Sequence, residues 1–130
     1  MVQLEAEIFP GTEPERRCYN ALIQLGKVPD VDFQFQSSLL GGRADKGGLV
    51  IDFVFSEPND LAISVLGVYF HYRLNGGSRG RDLMIRELLA VQGMTLIFID
   101  EEDLIADARY YVEQALQYRD HSAVSTGGAP

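Results

Sequence analysis

Tryptophan is absent from this chain, and cysteine occurs once, at Cys18. A lone thiol closes no internal disulfide, so a small disulfide-stapled fold is excluded. The two histidines, His71 and His121, lie far apart. With one cysteine they give none of the ligand spacings of a structural zinc site, and neither stands in a nucleophile–base–acid pattern. Basic residues are scarce: 11 Lys and Arg stand against 19 Asp and Glu, for a net charge of −8. Non-specific grip on a nucleic acid rests on neutralising phosphates, so this balance argues against a stand-alone DNA binder. It favours a protein partner or a metal-assisted approach to nucleic acid. No apolar run is long enough to span a membrane, and the first residues lack the basic-then-apolar pattern of an export leader. The expectation is a protein of a reducing cytoplasm.

What is there is one domain's worth of chain. At 130 residues, 46% hydrophobic and 23% charged, it has the makings of a packed core. Three segments are expected: an N-terminal arm or edge strand over 1–11, a folded domain over 12–119, and a mobile tail over 120–130. In the arm, Val2, Leu4, Ala6 and Ile8 alternate with polar residues, the pattern of an extended edge. Thr12-Glu13-Pro14-Glu15 is a helix start, with Thr12 as cap and Glu15 at the capping-box position. That helix runs to about Leu25, where Gly26 stops it. Residues 31–36 alternate strictly and predict a half-buried strand.

The glycine-rich stretch 40–48 then leads into 49–55, an apolar run broken only by Asp52. Residues 49–55 are expected as a central strand, and a further strand is expected over 61–66. The glycine-rich segment Gly76-Gly77-Ser78-Arg79-Gly80 lacks the lysine of a phosphate loop and reads as a surface loop. A helix follows over 81–92, with Leu83, Met84, Leu88 and Val91 as its buried stripe. A strand over 94–99 and a helix over 101–118 complete the order. A strand, a helix and another strand late in the chain predict a parallel crossover.

Asp52 is the residue that asks for a function. A carboxylate inside so apolar a run is costly to bury without a partner. It either binds a metal or is a buried acid satisfied by backbone or arginine. Glu15 has two readings as well, a helix cap and a carboxylate near a site. Arg73, Arg79, Arg81 and Arg86 form the one dense basic cluster, either a solvated face or a nucleic-acid-binding patch.

In their order and spacing several pieces resemble the PD-(D/E)XK nuclease superfamily. They are Thr12-Glu13-Pro14-Glu15, Phe33-Gln34-Phe35-Gln36, Gly48-Leu49-Val50-Ile51-Asp52-Phe53, Leu61-Ala62-Ile63-Ser64-Val65-Leu66-Gly67, Tyr69-Phe70-His71, Arg81-Asp82, and Gly93 before Thr95-Leu96-Ile97-Phe98-Ile99. The branch they look most like is that of the very-short-patch-repair endonucleases and their small relatives. The resemblance covers about residues 12–117 and implies an α/β fold, a central mixed sheet of about four strands flanked by helices, as in a restriction-endonuclease-like core. Small proteins of this pattern are common among tailed phages, which implies a phage origin.

Chemically the resemblance implies magnesium-dependent phosphodiester hydrolysis, because hard carboxylate oxygens hold the metal that activates water. The family places an aspartate on one strand, and a glutamate and a lysine two residues apart on the next. A glutamate on the first helix assists. Carried onto this chain, Asp52 matches the aspartate, Glu15 the helix glutamate, and Gln36 a polar residue near the site. Ser64 stands at the glutamate position and Leu66 at the lysine position. Neither supplies the missing chemistry. The expectation is therefore a domain that has lost catalysis and needs no cofactor. It would be kept as an interaction or structural module, a phage virion or adaptor protein, docking on partners or a second copy through its arm and tail. The alternative is a Mg2+-dependent DNA endonuclease. It would use Asp52 and Glu15, with Glu87 or Asp82 as a relocated carboxylate and Arg86 or Arg79 as the cation.

Overall fold

A computed structural model describes residues 9, 11–35, 51–67 and 76–126, with the side chains of 76–82 and 126 excepted. The first helix, α1, spans Glu13–Gln24 and starts where the sequence predicts. Thr12 accepts from the Glu15 N–H at 3.3 Å, and Glu15 Oε1 accepts from the Thr12 N–H at 2.9 Å, closing a capping box. Two of the donors that a helix start leaves without intrahelical partners are thereby satisfied. Gly26 ends the helix with φ +90°, a conformation that glycine adopts without steric cost.

Three strands follow: β1 (Phe33–Phe35), β2 (Phe53–Phe55) and β3 (Leu61–Leu66). After them come α2 (Gly76–Val91), β4 (Thr95–Asp100), α3 (Glu101–Leu116) and a short α4 (Ala123–Thr126). The sheet runs in the order β1-β2-β3-β4. β1, β2 and β3 pair antiparallel, and β3 and β4 pair parallel. The expected α/β architecture, a four-stranded mixed sheet with a parallel crossover, is the one observed.

Alternation along the strands builds two cores. Leu61, Ile63, Ile97 and Ile99 face α1 and α3, meeting Cys18, Leu22, Leu104 and Val112 there. Phe33, Phe53 and Phe55 fill the same side, with ring centroids 5.6–5.9 Å apart from Phe33 to the other two. Ala62, Leu66, Leu96 and Phe98 face the other way and meet Ile85, Leu89 and Val124.

Several boundaries and faces differ from the sequence reading. α2 begins at Gly76, so most of the segment expected as a loop is helix. Its buried residues are Ile85 and Leu89. Met84, Leu88 and Val91, expected inside, are 56%, 55% and 86% exposed. The two stripes are one residue out of phase, and the crossover over β4 selects the neighbouring one. α3 is broken at Asp107, whose φ and ψ of −162° and 79° are not helical. Asp107 Oδ1 accepts from the Tyr110 N–H at 3.1 Å and so caps the second half. Ile105, two residues before the break, is 51% exposed.

The expected mobile tail is corrected over residues 120–126. Ser122 is 0% exposed and Val124 1% exposed, and Val124 belongs to the core beneath α2. Residues 127–130 and most of the arm, 1–8, lie outside the described residues.

Candidate functional site

β2 and β3 part company at Asp52. Their ladder pairs Phe53 with Ile63 and Val54 with Ala62. β3 continues beside β4 alone through Leu66, which sits opposite Asp100. Where the next ladder contact would come, the side chain of Asp52 intervenes, and its Oδ2 accepts from the Val65 N–H at 2.7 Å. Asp52 is 1% exposed, so this charge-assisted bond satisfies a strand donor and part of the carboxylate at once. The acid sits in the plane of the sheet, at the C-terminal end of β3. Crevices at the carboxyl ends of strands are where open α/β sheets bind ligands.

Glu15, on the first turn of α1, is 5% exposed. Its cap role is confirmed by the bond to Thr12, and that bond occupies Oε1. Gly11 makes the approach feasible. A Cβ there would lie 2.6 Å from Glu15 Oε1, 2.7 Å from Phe9 Cε2 and 2.8 Å from Phe35 Cζ. Sequence reasoning missed Gly11, although a glycine just before a capping box is a visible cue.

Cys18, one turn after Glu15, reports on both acids. Its thiol is 0% exposed. Burial raises its pKa well above the ordinary 9.0, and the negative charges of Asp52 and Glu15 raise it further. The charges of both carboxylates thus reach the Cys18 thiol. Among the described residues no group of three or more His, Cys, Asp and Glu side chains is arranged to hold a metal. Magnesium is nonetheless commonly held by one or two carboxylates, with waters and substrate phosphates completing the shell. Asp52 and Glu15 offer hard oxygens of that kind, which fits a sparse site and not an all-protein cage.

The other candidates divide. Ser64 and Leu66 are 3% and 6% exposed. Alternation turns both toward the α2 side, with Ala62 and Leu66 in its core. Val65 and Gly67 point to the α1 side instead, and they too lack an acid or a cation. Neither face of β3 thus carries a glutamate–lysine pair.

Because β3 and β4 are parallel, α2 must return from the C-terminal end of one to the N-terminal end of the other. Its first turns, with Arg79, Arg81 and Asp82, therefore lie toward the Asp52 end of the sheet. Glu87 is exposed and lies five residues further along the helix than Asp82.

Arg86 is corrected as well. It is neither the replacement cation nor part of an open basic patch. Its Nη2 donates to Asp120 Oδ2 at 2.7 Å and to Ser125 Oγ at 2.6 Å, and its guanidinium lies 4.8 Å from the centre of the Phe98 ring. Gln36, His71 and Arg73 lie outside the described residues. His121 meets Gln114 Oε1 through Nε2 at 3.1 Å and stacks edge-on to Tyr111. No helix among the described residues is long and apolar enough to cross a membrane.

No family model matches the chain, and no curated protein matches it. Among solved structures it is similar to the catalytic domain of the homing endonuclease I-Bth0305I. The identity is 21% and the TM-score 0.52, over 80% of this chain and 93% of that one. At that identity the likeness is one of fold: this chain folds as a nuclease catalytic domain does.

Proposed function

We propose that this domain is a divalent-metal-dependent endonuclease that hydrolyses phosphodiester bonds in DNA. The observation that carries the reading is the position of Asp52, buried where β2 and β3 separate and bonded to the Val65 N–H. Glu15 is buried on the first turn of α1, and the charges of both acids reach the Cys18 thiol. Similarity to the catalytic domain of a homing endonuclease supports the same reading. Asp52 and Glu15 would hold the metal. Asp82, in the first turns of α2, which leave from this end of the sheet, is the favoured further carboxylate. A bound magnesium ion would supply an activated water and offset charge on the phosphate. The chain's own part is to fix the acids: Val65 orients Asp52, and the Thr12 cap orients Glu15.

The test is cleavage of duplex, single-stranded and branched DNA with Mg2+ or Mn2+, comparing wild type with Asp52→Asn. A loss of about 10²-fold or more is expected, the scale on which deleting one charge-handling group acts in other enzymes. Absence of cleavage by the wild type, together with no Mn2+-dependent rise in its melting temperature, sinks the proposal.

A second reading rests on Ser64 and Leu66. Both are buried on the α2 side, where the superfamily resemblance implies a glutamate and a lysine. On that reading the scaffold is catalytically silent and serves as an interaction module, such as a phage virion or adaptor protein. Metal-independent binding of a protein partner by the Asp52→Asn variant, without cleavage by the wild type, would favour it.

A further inference from the structure

Residues 120–126 tie two elements together. Asp120 Oδ2 accepts from the Phe98 N–H on β4 at 2.7 Å and from Arg86 Nη2 on α2 at 2.7 Å. Asp120 Oδ1 accepts from the Ser122 N–H at 2.9 Å and from Ser122 Oγ at 2.6 Å, which fixes the carboxylate within its own segment. Arg86 Nη2 also donates to Ser125 Oγ at 2.6 Å, and Val124 is buried beneath α2. Further along β4, Asp100 Oδ2 accepts from the Ala123 N–H at 3.0 Å. Asp100 ends β4 opposite Leu66, the residue after Val65, whose N–H holds Asp52. The segment therefore reaches the Asp52 end of the sheet while it grips α2.

The start of α2 needs such a grip. Gly76-Gly77-Ser78-Arg79-Gly80 has the composition of a loop, yet it is helical. Glycine is the least favourable helix residue after proline. Helical turns in proteins draw most of their stability from packing, not from propensity. The described side chains that hold α2 down come later in the helix: Leu83, Ile85 and Leu89 in the core, and Arg86 beside the Phe98 ring. Three of these are apolar, so only Arg86 can be fixed in direction by hydrogen bonds. It lies about one helical turn after Asp82.

We infer that residues 120–126 are a strap that holds the glycine-rich start of α2 in helix at the Asp52 end of the sheet, with Asp120 and Arg86 as its positioning residues. Its role in cleavage rests on the endonuclease reading above: the strap sets where Asp82 stands. Asp120 and Arg86 act through α2 and not on the substrate.

The experiment uses the full chain with Asp120→Asn, Arg86→Met and the double variant. Asparagine keeps an oxygen for the Phe98 N–H and removes the charge that draws Arg86. Methionine keeps an apolar stem beside the Phe98 ring and removes the donors. Amide exchange is followed at residues 80–84, whose N–H groups bond the carbonyls of 76–80 in an α-helix, and in α1 as the reference. In each variant the α2 amides should exchange about tenfold faster or more, as expected for loss of a hydrogen bond between charged groups. Those of α1 should keep their wild-type rates. The double variant should match the single ones, because both break one contact. In cleavage assays kcat should fall about tenfold or more, and the Mn2+ concentration for half-maximal rate should rise, the scale on which partners of metal-binding residues act. A residue that only stabilised the fold would leave that concentration unchanged. Wild-type exchange at 80–84 in both single variants overturns the strap. Faster exchange with a wild-type kcat and Mn2+ requirement overturns the positioning role. Absence of cleavage by the wild type overturns the endonuclease reading, and the exchange rates then decide the strap by themselves. Circular dichroism identifies any variant that unfolds, and Ser125→Ala, which removes one acceptor of Arg86 and leaves Asp120 in place, then replaces it.

Discussion

The backbone N–H of Val65 donates to Oδ2 of Asp52 at 2.7 Å, so an acidic side chain stands in the ladder where a strand carbonyl would otherwise serve. This substitution explains why β2 is short and why β3 goes on without it. The same contact stabilises the sheet and fixes the carboxylate. Fold and candidate chemistry are therefore coupled at one residue, and substitutions there must be chosen to separate them.

Asp52→Asn keeps an amide oxygen that can still accept from Val65, whereas Asp52→Ala leaves a buried strand N–H without that acceptor. The alanine variant should lose about 1–3 kcal/mol more stability than the asparagine variant in urea unfolding. Both should lack DNA cleavage, because both lack the charge. Equal stability of the two would show that the Val65 contact contributes nothing to the fold.

The capping box allows a similar separation at α1. Thr12→Ala removes the hydroxyl that accepts from Glu15 N–H and should cost about 1 kcal/mol, read as a lower melting temperature. Glu15→Gln retains an oxygen for the Thr12 N–H, since glutamine serves in the same motif. Its melting temperature should stay near wild type while metal-dependent cleavage falls. If Glu15 were a cap alone, Glu15→Gln would leave cleavage unchanged.

Gly11→Ala is expected to be far more disruptive than a surface glycine substitution. The added methyl would meet Glu15 Oε1, the Phe9 ring and the Phe35 ring, each closer than 3 Å. Overpacking of that kind costs roughly 1–3 kcal/mol. Thermal unfolding would measure it, and a stability within error of wild type would mean that the loop before α1 yields freely.

Much of this was legible in the residues, for identifiable reasons. Thr12, Pro14 and Glu15 encode a helix start in local chemistry, and the structure starts α1 there. The apolar run at 61–66 is β3 to the residue, because a strand buried on both sides has no competing pattern. α2 was harder. Met84, Leu88 and Val91 form as good a stripe with Leu83 as Ile85 and Leu89 do; Leu83 packs inward as expected, and only packing against β4 chooses between the rest. Residues 120–126 were misread because their small, polar composition suggests no core. Their order comes from Asp120 meeting Arg86 and Phe98, contacts 34 and 22 residues away in sequence that no local pattern reveals. Asp52 and Glu15 stand out by type and context, and the structure buries both. That their charges reach the Cys18 thiol was not legible, since a single cysteine on a helix carries no signal of what lies across the sheet.

Cys18 supplies the sharpest pH test. Burial first, and then the charges of Asp52 and Glu15, hold its thiol protonated well above the ordinary 9.0. In the unfolded chain the thiol ionises near its ordinary value. Above that pH the folded state thus binds the extra proton, and the stability this confers at lower pH is lost as pH rises, by up to about 1.4 kcal/mol per pH unit. Tyr19, raised chiefly by burial, adds a slope of the same sign above 10.0. Cys18→Ala should therefore be compared with wild type by the slope of stability against pH and not by stability at one pH, because alanine also loses packing. The wild type should fall more steeply than the variant between pH 9 and 10, and the native thiol should resist a disulfide reagent at pH 8 until the chain is unfolded. Parallel slopes, or rapid modification of the folded protein, would show that the Cys18 thiol is not held protonated by its burial and the nearby charges.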